Sequence, residues 1–378
     1  MVSSVSTDVL FQPLAFGKAQ ARNRLAMAPM TRKRAPGGIP TEAVAAYYRR
    51  RADGGIGLIF SEGSFIDHPS AQAHSGRSYT DIPRFFGREA LLGWERVLNG
   101  VHEASTLFVP QLWHVGEVRR LGMPEEPTVP GYGPHEIIED GKVVVKAMDL
   151  RDCETIAESY ARCAISAQEM GCDGIALHGA HGYLLDQFLW PESNARDDAL
   201  GGAMENRCRF ACLVIERIRD SVAPDFPIVF RFSQWKMSDY NARIAETPGE
   251  LKIMLQRLVA AGVDWFDVST RRFWEPAFDT DPRSLAAWTR VLSGKPVIAV
   301  GSIGLDQPHH SKLFRDKVNI DAQVVELDNL VTAMAQGDFD MAAVARAILA
   351  DPEWAEKVRS GRMAEIRPFE RTDLEAYR

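Results

Sequence analysis

Short apolar runs recur along the chain, each followed by a loop and then by a stretch whose apolar residues keep helical spacing. Eight stand out: LAMAPM (25–30), IGLIFSE (56–62), LFVPQLW (107–113), GIALH (174–178), PIVFRF (227–232), WFDVST (265–270), PVIAV (296–300) and DMAAVA (340–345). Seven are nearly continuous in apolar character instead of alternating, as parallel strands covered on both faces require. Between them lie amphipathic helices. In PGELKIMLQRLVAAG, Leu251, Met254, Leu255, Leu258 and Val259 share one face and Gly262 offers a stop. Phe210, Leu213, Val214 and Ile218 repeat the pattern, and Cys153 to Gly171 reads as a longer helix.

Eight strand–helix pairs in 378 residues predict an α/β fold, the (β/α)8 TIM barrel, which takes about 250 residues plus insertions. The reading is one domain over 1–378, with the excess length in loops. The first 24 residues are expected to form a hairpin plugging the barrel's N-terminal end. The longest insertion, from about Val115 to Leu150, follows the third strand and is expected to be a lid over the catalytic end. Within it, EIIEDGKVVVKAM suggests a hairpin turning at Asp140-Gly141.

Composition then narrows the function. Apolar residues are 46% and charged residues 25%, the balance of a folded globular chain, and the net charge is −7. A net negative chain lacks the footprint of a nucleic-acid binder, so DNA and RNA are not expected as partners. Five cysteines at 153, 163, 172, 208 and 212 form no C-x-x-C pair. A disulfide framework is not expected, and with no signal peptide or membrane span in the sequence the location expected is cytoplasmic. The chain is expected to be a monomer or homo-oligomer.

Barrel active sites form beyond the C-terminal ends of the strands. The residues there are unusually polar: Thr31 after the first; Glu62 and Gly63 at the second; Gln111 and Trp113 in the third; His178, His181 and Tyr183 after the fourth; Arg231 in the fifth; Gly301-Ser302 after the seventh; Ala345-Arg346 after the eighth. Loops seven and eight commonly hold a phosphate, for which Gly301 gives close approach and Arg346 a bidentate partner. The plainer alternative makes Gly301 a tight turn and Arg346 a surface ion pair. Arg231 in an apolar strand suggests a polar ligand, because an unpaired buried charge is costly.

His178 and His181 admit three readings. A metal centre, as in a divalent-metal-dependent barrel hydrolase, is the alternative function, but two histidines lack a third ligand and the reading assigns no metal. A structural pair is the second. The third uses both imidazoles as donors to one ligand oxygen with Tyr183 as proton donor, a set suited to an enolate-like oxyanion. The clusters at 32–34 and 49–51 (RKR, RRR) read as solvated faces. No G-x-G-x-x-G, Walker A or G-x-S-x-G occurs.

From about Leu10 to Trp354 the sequence resembles the Old Yellow Enzyme family of flavin-dependent ene-reductases. The resemblance is carried by NRLAMAPMTR, YYRRRADGGIGLIFSEG, QLWHVG, GCDGIALHGAHGYLLDQFL, GGAMENR, RFS, PVIAVGS and AAVARAILADPEW, in order. It implies noncovalent FMN as cofactor, NADPH or NADH as hydride donor, and a small activated alkene as substrate. Carried onto matching positions, Pro29, Met30, Thr31, Gly63 and Gln111 would contact the flavin ring, and Arg231 would lie by its N1/C2 carbonyl region. Gly301, Ser302, Ala345 and Arg346 would take its phosphate. His178 and His181 would hold the substrate oxygen beside Trp113, and Tyr183 would give the proton. Two departures stand out: Leu200 where the family often has Tyr, and Ala345 where Gly commonly precedes the phosphate arginine. The loop STRRFWEPAF is distinctive, and its Trp274 either shapes a pocket or packs the lid, the second being preferred.

Overall fold

The computed structural model describes residues 6–72, 81–123, 126–311 and 315–377. Residues 1–5 of the expected plug and Pro124 and Glu125 of the expected lid lie outside them. All eight apolar runs become the strands of one closed barrel: β1 (Leu25–Met27), β2 (Leu58–Phe65), β3 (Leu107–Trp113), β4 (Ile175–His181), β5 (Ile228–Lys236), β6 (Trp265–Ser269), β7 (Val297–Val300) and β8 (Met341–Val344). Every neighbouring pair is parallel, and β8 closes on β1 through Ala342↔Leu25 and Val344↔Met27. The intervening helices are α1 (Glu42–Asp53), α2 (Arg88–Glu103), α3 (Leu150–Met170), α4 (Arg209–Arg219), α5 (Pro248–Ala261), α6 (Leu285–Ser293), α7 (Asp328–Ala335) and α8 (Trp354–Arg359).

Strand side chains alternate between two faces, and here both faces are apolar. Ala26, Leu58, Phe60, Val109, Ala176, Val229, Trp265, Ile298 and Met341 meet one another inside the barrel. Their neighbours Leu25, Ile59, Phe108, Ile175, Ile228, Phe266 and Val297 pack outward with the helices. This is why the runs read as continuous. The inward rows then change character toward the C-terminal end: Val109 is followed two residues on by Gln111, Ala176 by His178, Val229 by Arg231, and Trp265 by Asp267 and Ser269. One geometric row carries both the core and the chemistry.

A short hairpin, Leu14–Phe16 with Ala19–Ala21, supplies Phe16 to the interior cluster, where its ring lies 5.2 Å from that of Trp265. At its turn, a Cβ on Gly17 (φ 58°) would meet the Pro227 ring at 2.6 Å, just before β5 begins. The insertion after β3 folds into a three-stranded sheet, Gly131–Gly133, Ile137–Glu139 and Lys142–Ala147. Its turn is Asp140-Gly141, both at positive φ (49° and 71°), the geometry of a type I′ hairpin. Arg196 Nη1, in the segment after β4, donates to the Pro134 and Met148 carbonyls, which follow two neighbouring strands of this sheet.

The basic clusters are not simply solvated faces, and the reason is aromatic. Arg51 is fully buried with its guanidinium 3.6 Å from the centre of the Tyr47 ring. Arg32 is also buried; it lies against Tyr47 and Tyr377 and donates to the Ala376 carbonyl at 2.7 Å. Tyr47 and Tyr377 stack at 4.6 Å. Cation–π contact and carbonyl acceptors replace the water these charges would lose, and they tie the C-terminal segment to the loop after β1.

Phe16 is completely buried, so Phe16→Ala should lower unfolding stability by about 3–5 kcal/mol, read from the chemical denaturation midpoint. A loss under about 1 kcal/mol would show that the hairpin does not fill the barrel end.

Candidate active site

The sequence-predicted residues gather on one rim, in two groups. The first spans β2 to β6. Gly63 pairs with Gln111, Phe65 with Trp113, and Arg231 with His178 on one side and Asp267 on the other. Gly63 is required by proximity, since a Cβ there would stand 2.8 Å from the Trp113 ring. Trp113 stacks on His178 (5.7 Å, 23°) and meets the Tyr183 ring edge-on at 4.8 Å. His178, His181 and Tyr183 therefore stand together, with His178 at 5.4 Å from His181 and 5.0 Å from Tyr183 between ring centres. The turn that delivers them is held by Asp186, which accepts from the Gly182 amide at 2.6 Å and from the fully buried Lys236 at 2.9 Å.

The surroundings favour the neutral form of both imidazoles. Burial and then the nearby Arg231 push His178 down to about 3. Burial, followed by Arg231 and His178, drives His181 well below the ordinary value. A neutral imidazole still donates one hydrogen bond. Nδ1 of His178 is buried without a partner among the described residues, as is Nε2 of Gln111. Arg231 differs from expectation: its Nη1 donates to Asp267 Oδ2 at 2.5 Å. Its burial is thus compensated inside the protein and does not by itself demand an external anion.

The second group joins β7 to β8. Gly301 sits at φ 149°, and a Cβ there would lie 2.5 Å from Thr270 Oγ1. Ser302 follows at φ 51°, its Oγ donating to the Arg271 carbonyl at 2.8 Å. Arg346, held buried at the start of a short helix, gives Nη2 to the Gln307 carbonyl, while Nη1 is buried without a partner among the described residues. Burial pushes its guanidinium down to about 10. Ala345 has a negative φ (−111°), so this position does not call for the left-handed backbone that favours Gly. Leu200 is buried core. Trp274 is 41% exposed beside Phe273 and lines a cavity of about 280 Å³ with Ser302, Leu305 and Asp306, which supports the pocket-shaping alternative.

Between the two groups lies the loop after β1, with Pro29 and Met30 half-buried and Thr31 exposed. Glu62 anchors it, Oε2 accepting from the Arg32 and Lys33 amides at 2.8 and 3.2 Å. Sequence reasoning placed Glu62 at the strand end without a role, and missed Asp267, Ser269, Trp235 and Asp186. A signal for Asp267 was available: an acidic residue in the apolar run next in order to the one carrying Arg231, at the matching depth.

Chemically, the rim offers neutral N–H donors, a phenol and a buried guanidinium beside a glycine turn, the equipment of a barrel enzyme that binds an electron-rich ligand. The profile of the NADH:flavin oxidoreductase / NADH oxidase family matches residues 9–365, and the chain belongs to that family. It is 31% identical over 369 residues to an NADH oxidase of Thermoanaerobacter brockii, covering 95% of this chain and 52% of that one. It is 30% identical over 349 residues to putative 12-oxophytodienoate reductase 13 of Oryza sativa subsp. japonica, covering 91% and 86%. The chain spans about half the length of the NADH oxidase and of a second rice relative, putative 12-oxophytodienoate reductase 2, where 55% of each is matched. Its fold is similar to that of morphinone reductase in complex with tetrahydroNAD (TM-score 0.77, 24% identity, 97% and 93% covered). It is also similar to that of Old Yellow Enzyme from Pichia sp. AKU4542 (TM-score 0.78, 22% identity, 97% and 90% covered). The resemblance to the Old Yellow Enzyme family holds.

Burial raises the Glu62 carboxyl from 4.5 to about 7. An acid with a raised native pKa binds its proton more tightly folded than unfolded, so this group costs stability as pH rises from 4.5 to about 7. Glu62→Gln keeps an acceptor oxygen and removes the titration. Its stability relative to the parent should climb by about 3 kcal/mol, at about 1.36 kcal/mol per pKa unit, across that window and stay level above it. A difference independent of pH would refute the shift.

Proposed function

We propose that this protein is an FMN-dependent reductase that uses NAD(P)H to reduce the C=C bond of α,β-unsaturated carbonyl or nitro compounds by ping-pong turnover. The observation that carries the reading is the meeting of His178, His181 and Tyr183 against Trp113, on the same rim as the Gly301–Arg346 group. Family membership supports it. FMN fits the residues present: Arg346 Nη1 and Gln111 Nε2 are buried polar groups lacking a protein partner among the described residues, and Gly301 leaves its turn free of a Cβ. Gly301, Ser302, Ala345 and Arg346 would hold the phosphate; Pro29, Met30, Thr31, Gly63, Gln111 and Arg231 would flank the ring. When bound, FMN supplies a two-electron hydride carrier.

The chain's own residues do the rest. His178 and His181 donate to the carbonyl or nitro oxygen, drawing electron density from the alkene and stabilising the enolate-like charge that develops. Because both rings are neutral, they bind without surrendering a proton to the oxygen. Tyr183 gives its phenolic proton to Cα as charge arrives there. Trp113 walls the cleft against water. One cleft serves both half-reactions, so the nicotinamide leaves before the alkene enters. The alternative, a metal-dependent hydrolase on His178 and His181, is not favoured: among the described residues no group of three His, Cys, Asp or Glu side chains could hold a metal.

The purified protein should be yellow with heat-releasable FMN, bleach anaerobically with NAD(P)H and regain its colour with cyclohexenone. Bleaching without enone-dependent recovery would leave a flavin carrier, and activity that follows bound metal would favour the hydrolase. Arg346→Ala should weaken FMN retention by about 1.5–3 kcal/mol, read by equilibrium dialysis; unchanged retention would move the phosphate elsewhere.

Tyr183→Phe removes one proton and keeps the ring. The enone half-reaction should fall roughly 10²- to 10⁴-fold in stopped-flow traces while bleaching by NAD(P)H is nearly unchanged. An unaffected enone step would make Tyr183 a wall of the cleft only.

A further inference from the structure

His181 is gripped on three sides. Its backbone turns through φ 66°, and its amide donates to Ser233 Oγ at 3.1 Å. Its ring lies over Trp235 (4.3 Å, 29°), whose Nε1 donates to the Ser269 carbonyl at 3.1 Å. Its Nε2 stands 2.9 Å from Ser269 Oγ. That same Oγ is 3.2 Å from Arg231 Nη2, while Arg231 Nη1 is taken by Asp267. The chain Asp267–Arg231–Ser269–His181 therefore runs from β6 to β5, back to β6, and on to the end of β4.

Counting protons along it favours one arrangement, the one that leaves no hydroxyl hydrogen without an acceptor. A guanidinium only donates, so Ser269 Oγ accepts from Arg231. The hydroxyl's own hydrogen then needs an acceptor, and among the described residues His181 Nε2 is the one within reach. A neutral imidazole carries one proton, so if Nε2 accepts, the proton is on Nδ1. Burial and the repulsion of Arg231 and His178 disfavour the doubly protonated ring.

We propose that Ser269 is a positioning residue that holds His181 as its Nδ1–H tautomer, so that Nδ1 is the one donor this ring can offer a ligand oxygen. Trp235 fixes the plane of the ring, and Asp267, by holding Arg231, fixes which way the Ser269 hydroxyl points. The identity of the ligand rests on the proposed reductase; the place of the proton does not.

Nitrogen-15 spectra of the purified, flavin-loaded protein labelled at histidine test this directly, with His181→Phe identifying the resonances. The parent should show a protonated-type Nδ1 and an unprotonated-type Nε2 at His181. Ser269→Ala should abolish that preference, and Ser269→Thr, which restores a hydroxyl, should recover it. Binding of a phenol, followed by its long-wavelength absorption band, should weaken roughly tenfold in Ser269→Ala, the worth of one hydrogen bond, and return to within about threefold in Ser269→Thr. A parent protonated at Nε2, or a Ser269→Ala protein with the parent's nitrogen spectrum, would overturn the assignment. An Nδ1–H His181 in a protein that reduces no alkene would overturn the reductase and leave the assignment standing.

Discussion

The Arg231–Asp267 pair in the barrel wall is the interaction on which the rim depends. Its carboxylate is fully buried and its guanidinium nearly so. Removing one partner of such a pair leaves an uncompensated charge, at a cost of about 3–5 kcal/mol. Burial raises the Asp267 carboxyl while Arg231 opposes that rise. The pair exists because β5 and β6 are parallel neighbours in register, which sets residue 231 beside residue 267 at one depth. Everything next to it inherits that register: His178 on β4 stands across from Arg231, and Ser269 lies two residues beyond Asp267 on the same inward face.

The pair also sets the electrostatics of the cleft. Asp267 neutralises Arg231 only from the β6 side, so on the β4 side the guanidinium still lowers both histidines, adding to their burial. Two uncharged donors result where a charged imidazolium would otherwise compete to give up its proton. In the proposed reductase this would separate the tasks: the imidazoles would stabilise charge, and proton donation would fall to the phenol of Tyr183. A cleft with the histidines in charged form would bind an oxyanion more strongly at rest and discriminate less between substrate and developing charge.

The barrel was legible because parallel strands covered on both faces leave continuous apolar runs, and all eight of those runs are strands. The polar residues that break them were legible as well, since His178, Arg231 and Gln111 interrupt apolar sequence at strand ends. What was not legible depends on contacts between segments distant in sequence. Arg32 looks like a solvated charge, and the folding of Tyr377 back onto Tyr47 completes the aromatic surface on which its guanidinium lies; Arg51 has its ring, Tyr47, one turn back on the same helix. Trp235 lies in an irregular extension of β5, where spacing carries no information about which ring it will cover. Ser269 is chemically ordinary until β4, β5 and β6 are brought together.

The β7–β8 end shows why two small residues that look alike in sequence are constrained differently. Gly301 and Ala345 each precede a polar residue at a strand end. At Gly301 the chain combines positive φ with a close approach to Thr270, so a side chain is excluded twice, by backbone strain and by contact. At Ala345 φ is negative (−111°), so no left-handed backbone calls for glycine, and the methyl group packs against the interior cluster of the barrel. Arg346 follows it, buried at the start of a short helix. Its buried, half-satisfied guanidinium, not the freedom of the residue before it, is what would make this end of the barrel select an anion.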